Sequence, residues 1–136
     1  MTRAIPCLKR RIEFLRVAGT RRKWVAPGLI VQIRPHGPTE RVPGGTIPGE
    51  SPPVRVGYTT SKKVGNAVHR NRARRRLREA VAAVFPAQAK PGFDFVIIGR
   101  KTTVTRPFST LIRDLETALK KLNAYRESPA HGGETA

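Results

Sequence analysis

Acidic residues are scarce in this chain. Its 136 residues hold nine Asp or Glu against 27 Lys or Arg, a formal charge of +18. So one-sided a field points to a polyanion, because each phosphate neutralised by Lys or Arg releases condensed counterions. Cysteine is nearly missing. Cys7 alone excludes an internal disulfide and any cysteine-rich zinc site. His36, His69 and His131 lie too far apart for a metal-ligand pattern. Long apolar runs are also lacking: "AVAAVF" (80–85) and "FVII" (95–98) are the longest, and both are too short to span a bilayer. No apolar stretch of signal-peptide length follows the basic start. No Ser/His/Asp group or carboxylate pair stands out, so the chain alone is not expected to be a catalyst. What is left is a small basic domain, expected in the cytoplasm. Nucleic acid is the first partner suggested and an anionic membrane surface the second.

The length suits one domain with a real core. "RIEFLRVA" (11–18) reads as a short helix with Phe14, Leu15 and Ala18 on one side, stopped by Gly19. "KWVAPGLIVQIR" (23–34) holds two strands about a Pro27-Gly28 turn. Prolines and glycines crowd residues 35–53, which predicts a loop insertion. "VRVGYTTS" (54–61) alternates, with Val54, Val56 and Tyr58 on one face of a strand. "DFVIIGR" (94–100) reads as a buried central strand. In "PFSTLIRDLETALKKL" (107–122), Phe108, Leu111, Ile112, Leu115, Leu119 and Leu122 repeat at helical steps, with Thr105 or Arg106 near the N-cap. Residues 1–126 are thus one domain and 127–136 a disordered tail. The order α-β-β-β-α-β-α defines an α+β fold, a four-stranded mixed sheet packed by helices.

The segment "KKVGNAVHRNRARRRLREAV" (62–81) is the most unusual. Eight Lys or Arg fall between Lys62 and Arg78, with no acid before Glu79. A helix is predicted from an Asn66 N-cap to Pro86. On a wheel, Ala73, Leu77, Ala80, Val81 and Val84 form the core stripe, and Asn71, Arg74, Arg75 and Arg78 lie opposite. Arg72 and Arg76 flank the stripe. Arg70 projects close to it, its stem packed and its head at an edge. Like charges three and four residues apart repel, each pair by a few tenths of a kcal/mol. A merely solvated face would mix signs; this one does not. Arg outnumbers Lys, which suits forked phosphate contacts and base stacking.

These residues resemble the signature of the bacterial ribonuclease P protein family. That family carries a run close to "VGxxxSKKxGNAVxRNRxKRxxRE", and this chain reads "VGYTTSKKVGNAVHRNRARRRLRE" over 56–79. Weaker similarity covers "LKRRIEFLRV" (8–17), the strand at 94–100 and the last helix. The resemblance implies a protein subunit that binds a catalytic RNA and the 5′ leader of precursor tRNA, and assists removal of that leader. The RNA would carry the active site, with Mg²⁺ on the RNA or the assembled complex and none held tightly by the protein alone. By the same resemblance, Lys62, Lys63, Asn66, Arg70, Asn71, Arg72, Arg74, Arg75 and Arg78 contact RNA. Phe14 lies in a leader cleft between the first helix and the sheet, and a left-handed crossover joins the third and fourth strands. The family often has a second aromatic where this chain has Ala18; the resemblance then implies either a weaker stack on the leader or substitution by Trp24 or Tyr58. No obligate protein partner is implied.

The competing reading is a structural RNA-binding module, ribosomal in style, without a role in cleavage. A membrane-surface helix fails, because the apolar stripe within the charged run is only Ala73 and Leu77.

Overall fold

The computed structural model describes residues 7–35, 54–89 and 92–125. The 36–53 part of the predicted loop and the 127–136 tail lie outside the described residues. Helix α1 (Arg11–Gly19) is followed by β1 (Lys23–Val25) and β2 (Leu29–Pro35). Next come β3 (Arg55–Thr59), helix α2 (Ala67–Gln88), β4 (Phe93–Gly99) and helix α3 (Phe108–Lys121). Short 3-10 turns at Lys62–Val64 and Lys101–Val104 lead out of β3 and β4. The predicted element order and the α+β class hold. Pro35 belongs to β2 rather than to the loop.

The sheet runs β1-β2-β4-β3. β1 and β4 are antiparallel to β2, while β3 and β4 are parallel. A parallel pair needs a long crossover, and α2 supplies it. Pro27 and Gly28 sit in the β1–β2 turn, closed by the Ala26 N–H donating to the Leu29 carbonyl at 2.8 Å.

Strand alternation gives the sheet two different faces. The register sets Tyr58, Ile97, Val31 and Trp24 in one row, with Val56, Phe95 and Ile33 beside it. This face packs on α2 and α3, where Leu77, Val81, Val84, Leu111, Leu115 and Leu119 complete the main core. Phe85 meets Phe95 edge-on with centroids 4.8 Å apart. The opposite face carries the row Thr59, Ile98, Ile30, Val25 and the row Gly57, Val96, Gln32, Lys23. There α1 packs with a smaller cluster of Leu8, Val17 and Val96, joined by Phe14 and Ile98.

Four expectations are corrected. On α1 the buried residue is Val17; Leu15 and Ala18 are exposed, because the helix docks through Phe14 and Val17. α2 continues through Pro86 to Gln88. Proline this near a helix end forfeits only one ladder bond, and the Ala89 N–H still reaches the Phe85 carbonyl at 3.2 Å. The N-cap of α3 is Pro107, with no side-chain cap. Phe108, the first residue of α3, remains 36% exposed, since the helix meets the core only from Leu111 onward.

Candidate nucleic-acid interface

The basic helix is built as its sequence suggests. Gly65, at φ 141°, turns the chain where an added Cβ would strike His69. Asn66 then caps α2, its Oδ1 accepting the His69 N–H at 3.1 Å and lying 2.8 Å from His69 Nδ1. Ala73, Leu77, Ala80, Val81 and Val84 are all buried. With that stripe fixed, Asn71, Arg72, Arg75 and Arg78 must face outward, and all four are exposed. A shallow groove on this surface is lined by Val68, Asn71, Arg72, Arg74, Arg75 and Arg78.

The nine expected RNA-binding residues differ in how free they are. Lys62 and Lys63 are exposed just before the helix, on a turn capped by Ser61. Asn66 has its oxygen engaged in capping. Arg70 is half-buried, and its Nε is buried without a hydrogen-bond partner. Arg74 reaches Thr60 Oγ1 at 3.3 Å. Arg78 lies over the Tyr58 ring, 5.6 Å from its centroid. Burial, followed by the proximity of Cys7, raises the Tyr58 hydroxyl to a pKa of about 12, so it stays neutral. Arg75 makes one loose contact, 3.8 Å to Glu79.

Arg76 is different. It turns inward, donating from Nε to the Thr103 carbonyl at 2.9 Å and from Nη2 to the Arg106 carbonyl. Those carbonyls belong to the segment that also holds the β1–β2 turn, through Thr103 Oγ1 to the Gly28 carbonyl at 2.6 Å. One arginine of the run therefore anchors α2 to the fold.

The second surface lies between α1 and the sheet. Phe14 packs on Gly57, where an added Cβ would come within 2.6 Å of the ring Cζ and still closer to Cε2. At the other end of α1, Thr20 Oγ1 donates to the Ile33 carbonyl at 2.7 Å. The helix thus crosses from β3 to β2. A buried ion network fixes its seat. Arg55 and Asp94, 5% and 2% exposed, pair through two hydrogen bonds of 2.9 and 2.7 Å. The remaining Arg55 amine donates to Glu13 Oε2 at 2.6 Å, and Glu13 Oε1 accepts the N–H groups of Lys9 and Arg10 at 3.1 Å. Burial raises the Glu13 pKa, but the backbone donors and Arg55 outweigh it, so it lies below the usual value. Burial likewise opposes the Arg55 charge, and Asp94 and Glu13 more than restore it.

On the same sheet face, beyond the Gly57 and Val96 row that Phe14 and Val17 cover, lies the row Thr59, Ile98, Ile30 and Val25. This row is only half-buried, and Val25 is 50% exposed. This partly open, largely apolar row beside α1 is the candidate groove, with Phe14 packed on the adjoining Gly57.

The three residues expected to share that groove do not meet. Trp24 and Tyr58 lie on the opposite face from Phe14, at the two ends of one row. Three strand spacings, about 14 Å, separate them. Ile30, Ile98 and Val25 line the groove instead. Their signal in the sequence was strand parity: if Val56 and Tyr58 face the core, Gly57 and Thr59 face the other way. Among the described residues, no three His, Cys, Asp or Glu converge on a common point, and no helix is long and apolar enough to cross a membrane.

Comparison with known proteins identifies the family and the fold. A family model described as Ribonuclease P matches residues 6–123. The ribonuclease P protein component of Paramagnetospirillum magneticum is 55% identical over 123 residues, covering 90% of this chain and 86% of that one. The corresponding protein of Ruegeria pomeroyi is 47% identical over 121 residues, covering 88% of each. The solved structure of Staphylococcus aureus RNase P protein superposes with a TM-score of 0.65 at 20% identity, over 90% of this chain and 100% of that one. That of Thermotoga maritima RNase P protein gives 0.64 at 24%, over 88% and 97%. An arginine-rich face on α2, a first helix seated across the sheet and matches spanning most of the sequence lead to one conclusion: the chain belongs to the ribonuclease P protein family, the protein subunits of the endoribonuclease that processes tRNA 5′ ends.

Proposed function

We propose that the chain uses its two surfaces for two RNAs. The α2 face, with Asn71, Arg72, Arg74, Arg75 and Arg78 and the neighbouring Lys62 and Lys63, binds the catalytic RNA. The groove between α1 and the sheet takes the single-stranded 5′ leader of precursor tRNA. The observation that carries this reading is the contrast between them. The α2 face is densely cationic and suits a structured phosphate backbone. The groove is apolar with an aromatic wall and suits unstacked bases.

Bond cleavage is assigned to the RNA, with Mg²⁺ held there rather than by this chain. The charges support that placement: a surface dominated by arginines repels a divalent cation, and phosphate oxygens attract one. The protein contributes affinity and orientation for the leader, and counter-charge that draws RNA segments together. We place this work in the cytoplasm, without a membrane or an obligate protein partner.

The test is cleavage of precursor tRNA by the matching catalytic RNA at low Mg²⁺, with and without the chain. Stimulation of cleavage is the expected result. A structural RNA-binding protein would bind the RNA and leave the rate unchanged.

A further inference from the structure

The floor row of the candidate groove ends at Val25 on the β1 edge of the sheet, and that edge is cationic. Lys23 shares the α1 face with Val25, two residues away on β1. Arg21 stands exposed between α1 and β1, at φ 58°. Glycine would adopt this left-handed conformation freely, yet an arginine is kept there at the cost of strain. From the far side of the same edge, Lys121 lies over the Trp24 ring, 5.6 Å from its centroid, and Lys120 lies over Tyr125 at 4.8 Å. Arg22 ties the two sides together, its Nη2 donating to the Leu122 carbonyl at 3.0 Å. Ion pairs among the described residues lie elsewhere, at Arg34, Arg55, Arg75 and Arg106. The acid nearest in sequence is Glu116, one turn before Lys120. Aromatic rings rather than carboxylates hold these ammonium groups, which leaves their charge available to an anion.

We propose that Arg21, Lys23 and Lys121 form a phosphate clamp for the distal part of the precursor leader, where the strand leaves the groove over β1. This rests on the reading that the groove holds the leader. Continuity supports it. The floor row runs from Thr59 on β3, the strand against which Arg78 packs, across to Val25 on β1. A strand following that floor away from the arginine face meets these cations next. The clamp reads backbone charge and length, not sequence.

The experiment compares two precursor tRNAs with the same tRNA body. One leader ends within the groove, and the other extends past it. Both are titrated against the assembled holoenzyme with the natural chain or the Arg21→Gly/Lys121→Gln variant. Gly relieves the strain at position 21 and Gln is compatible with helix, so the fold is expected to survive; a melting curve checks this. The variant should bind the long-leader precursor more weakly. Its slope of log affinity against log salt should fall by about 1.4, or 0.7 per lost phosphate contact on a single strand. Binding of the short-leader precursor and of mature tRNA, and assembly with the catalytic RNA, should be unchanged. If the pair proves unstable, Lys121→Gln alone should lower the slope by about 0.7.

Equal loss on short and long leaders, or no loss on either, overturns the proposal. Weakened assembly with the catalytic RNA would assign the corner to that RNA and also overturn it. Phe14→Ala serves as the control. If it weakens both precursors while the corner variant alters neither, the clamp fails and the groove stands. If it also changes neither, the groove reading itself falls.

Discussion

At the scale of single residues, neighbouring arginines on one helix do opposite work. Arg75 points to solvent with one loose i,i+4 contact to Glu79, a kind of pair worth about 0.3–0.5 kcal/mol. Arg75→Ala should leave the melting temperature nearly unchanged and weaken assembly with the catalytic RNA by about 1.5–3 kcal/mol. Arg76 satisfies two backbone carbonyls. Arg76→Ala should destabilise the free protein by about 1–3 kcal/mol, since acceptors lose their donor. Parallel denaturation and RNA-binding measurements on both variants check the division. Gly57 offers a second test. An alanine there would push into the Phe14 ring. Gly57→Ala should cost about 1–3 kcal/mol as an overpacked site, and it should lower the affinity for precursor relative to mature tRNA. An unchanged ratio would show that Phe14 does not touch the leader.

At the scale of elements, α2 was legible and the seat of α1 was not. The N-cap at Asn66 and the stripe from Ala73 to Val84 are local signals, carried within one helix, and the structure keeps them. The network that seats α1 joins Glu13 to Arg55 and Arg55 to Asp94 across gaps of 42 and 39 residues. No local pattern announces such a pairing. Trp24 and Tyr58 lie away from Phe14 for a different reason: strand alternation turns both toward the α2 and α3 core, and leaves Gly57 and Thr59 on the α1 face. The α1 seat carries a pH prediction. Glu13 has its pKa lowered in the folded state from an ordinary value near 4.5. Its contribution to stability is therefore fully present above that value and is lost as pH falls through the folded pKa. Glu13→Gln should flatten the acid limb of the melting-temperature profile below about pH 4.5 and leave its alkaline limb in place. A wild-type and variant pair with identical acid limbs would argue against the network as the seat of the helix.

For the whole molecule, charge governs association. Contact with about six phosphates should make RNA affinity fall by about 10³ or more between 50 and 200 mM salt. A binding titration repeated across that range is the measurement, and a flat response would contradict an electrostatic interface. The same charge keeps copies of the chain apart in solution, and bound RNA cancels that repulsion. The sheet edges then matter in a way that binding does not reveal. β1 is only three residues long, and Lys23 and Val25 leave little template for a neighbouring strand. At the other edge Cys7 bridges to Val56, and the Leu8 N–H donates to the Val56 carbonyl at 2.9 Å. Both edges are blunted against strand addition by another molecule. Removing residues through Leu8 would uncover β3, and the trimmed chain should scatter light and aggregate once RNA or high salt has screened its charge. The Cys7–Leu8 strap thus covers an edge whose exposure is expected to matter most once RNA has neutralised the charge of the chain.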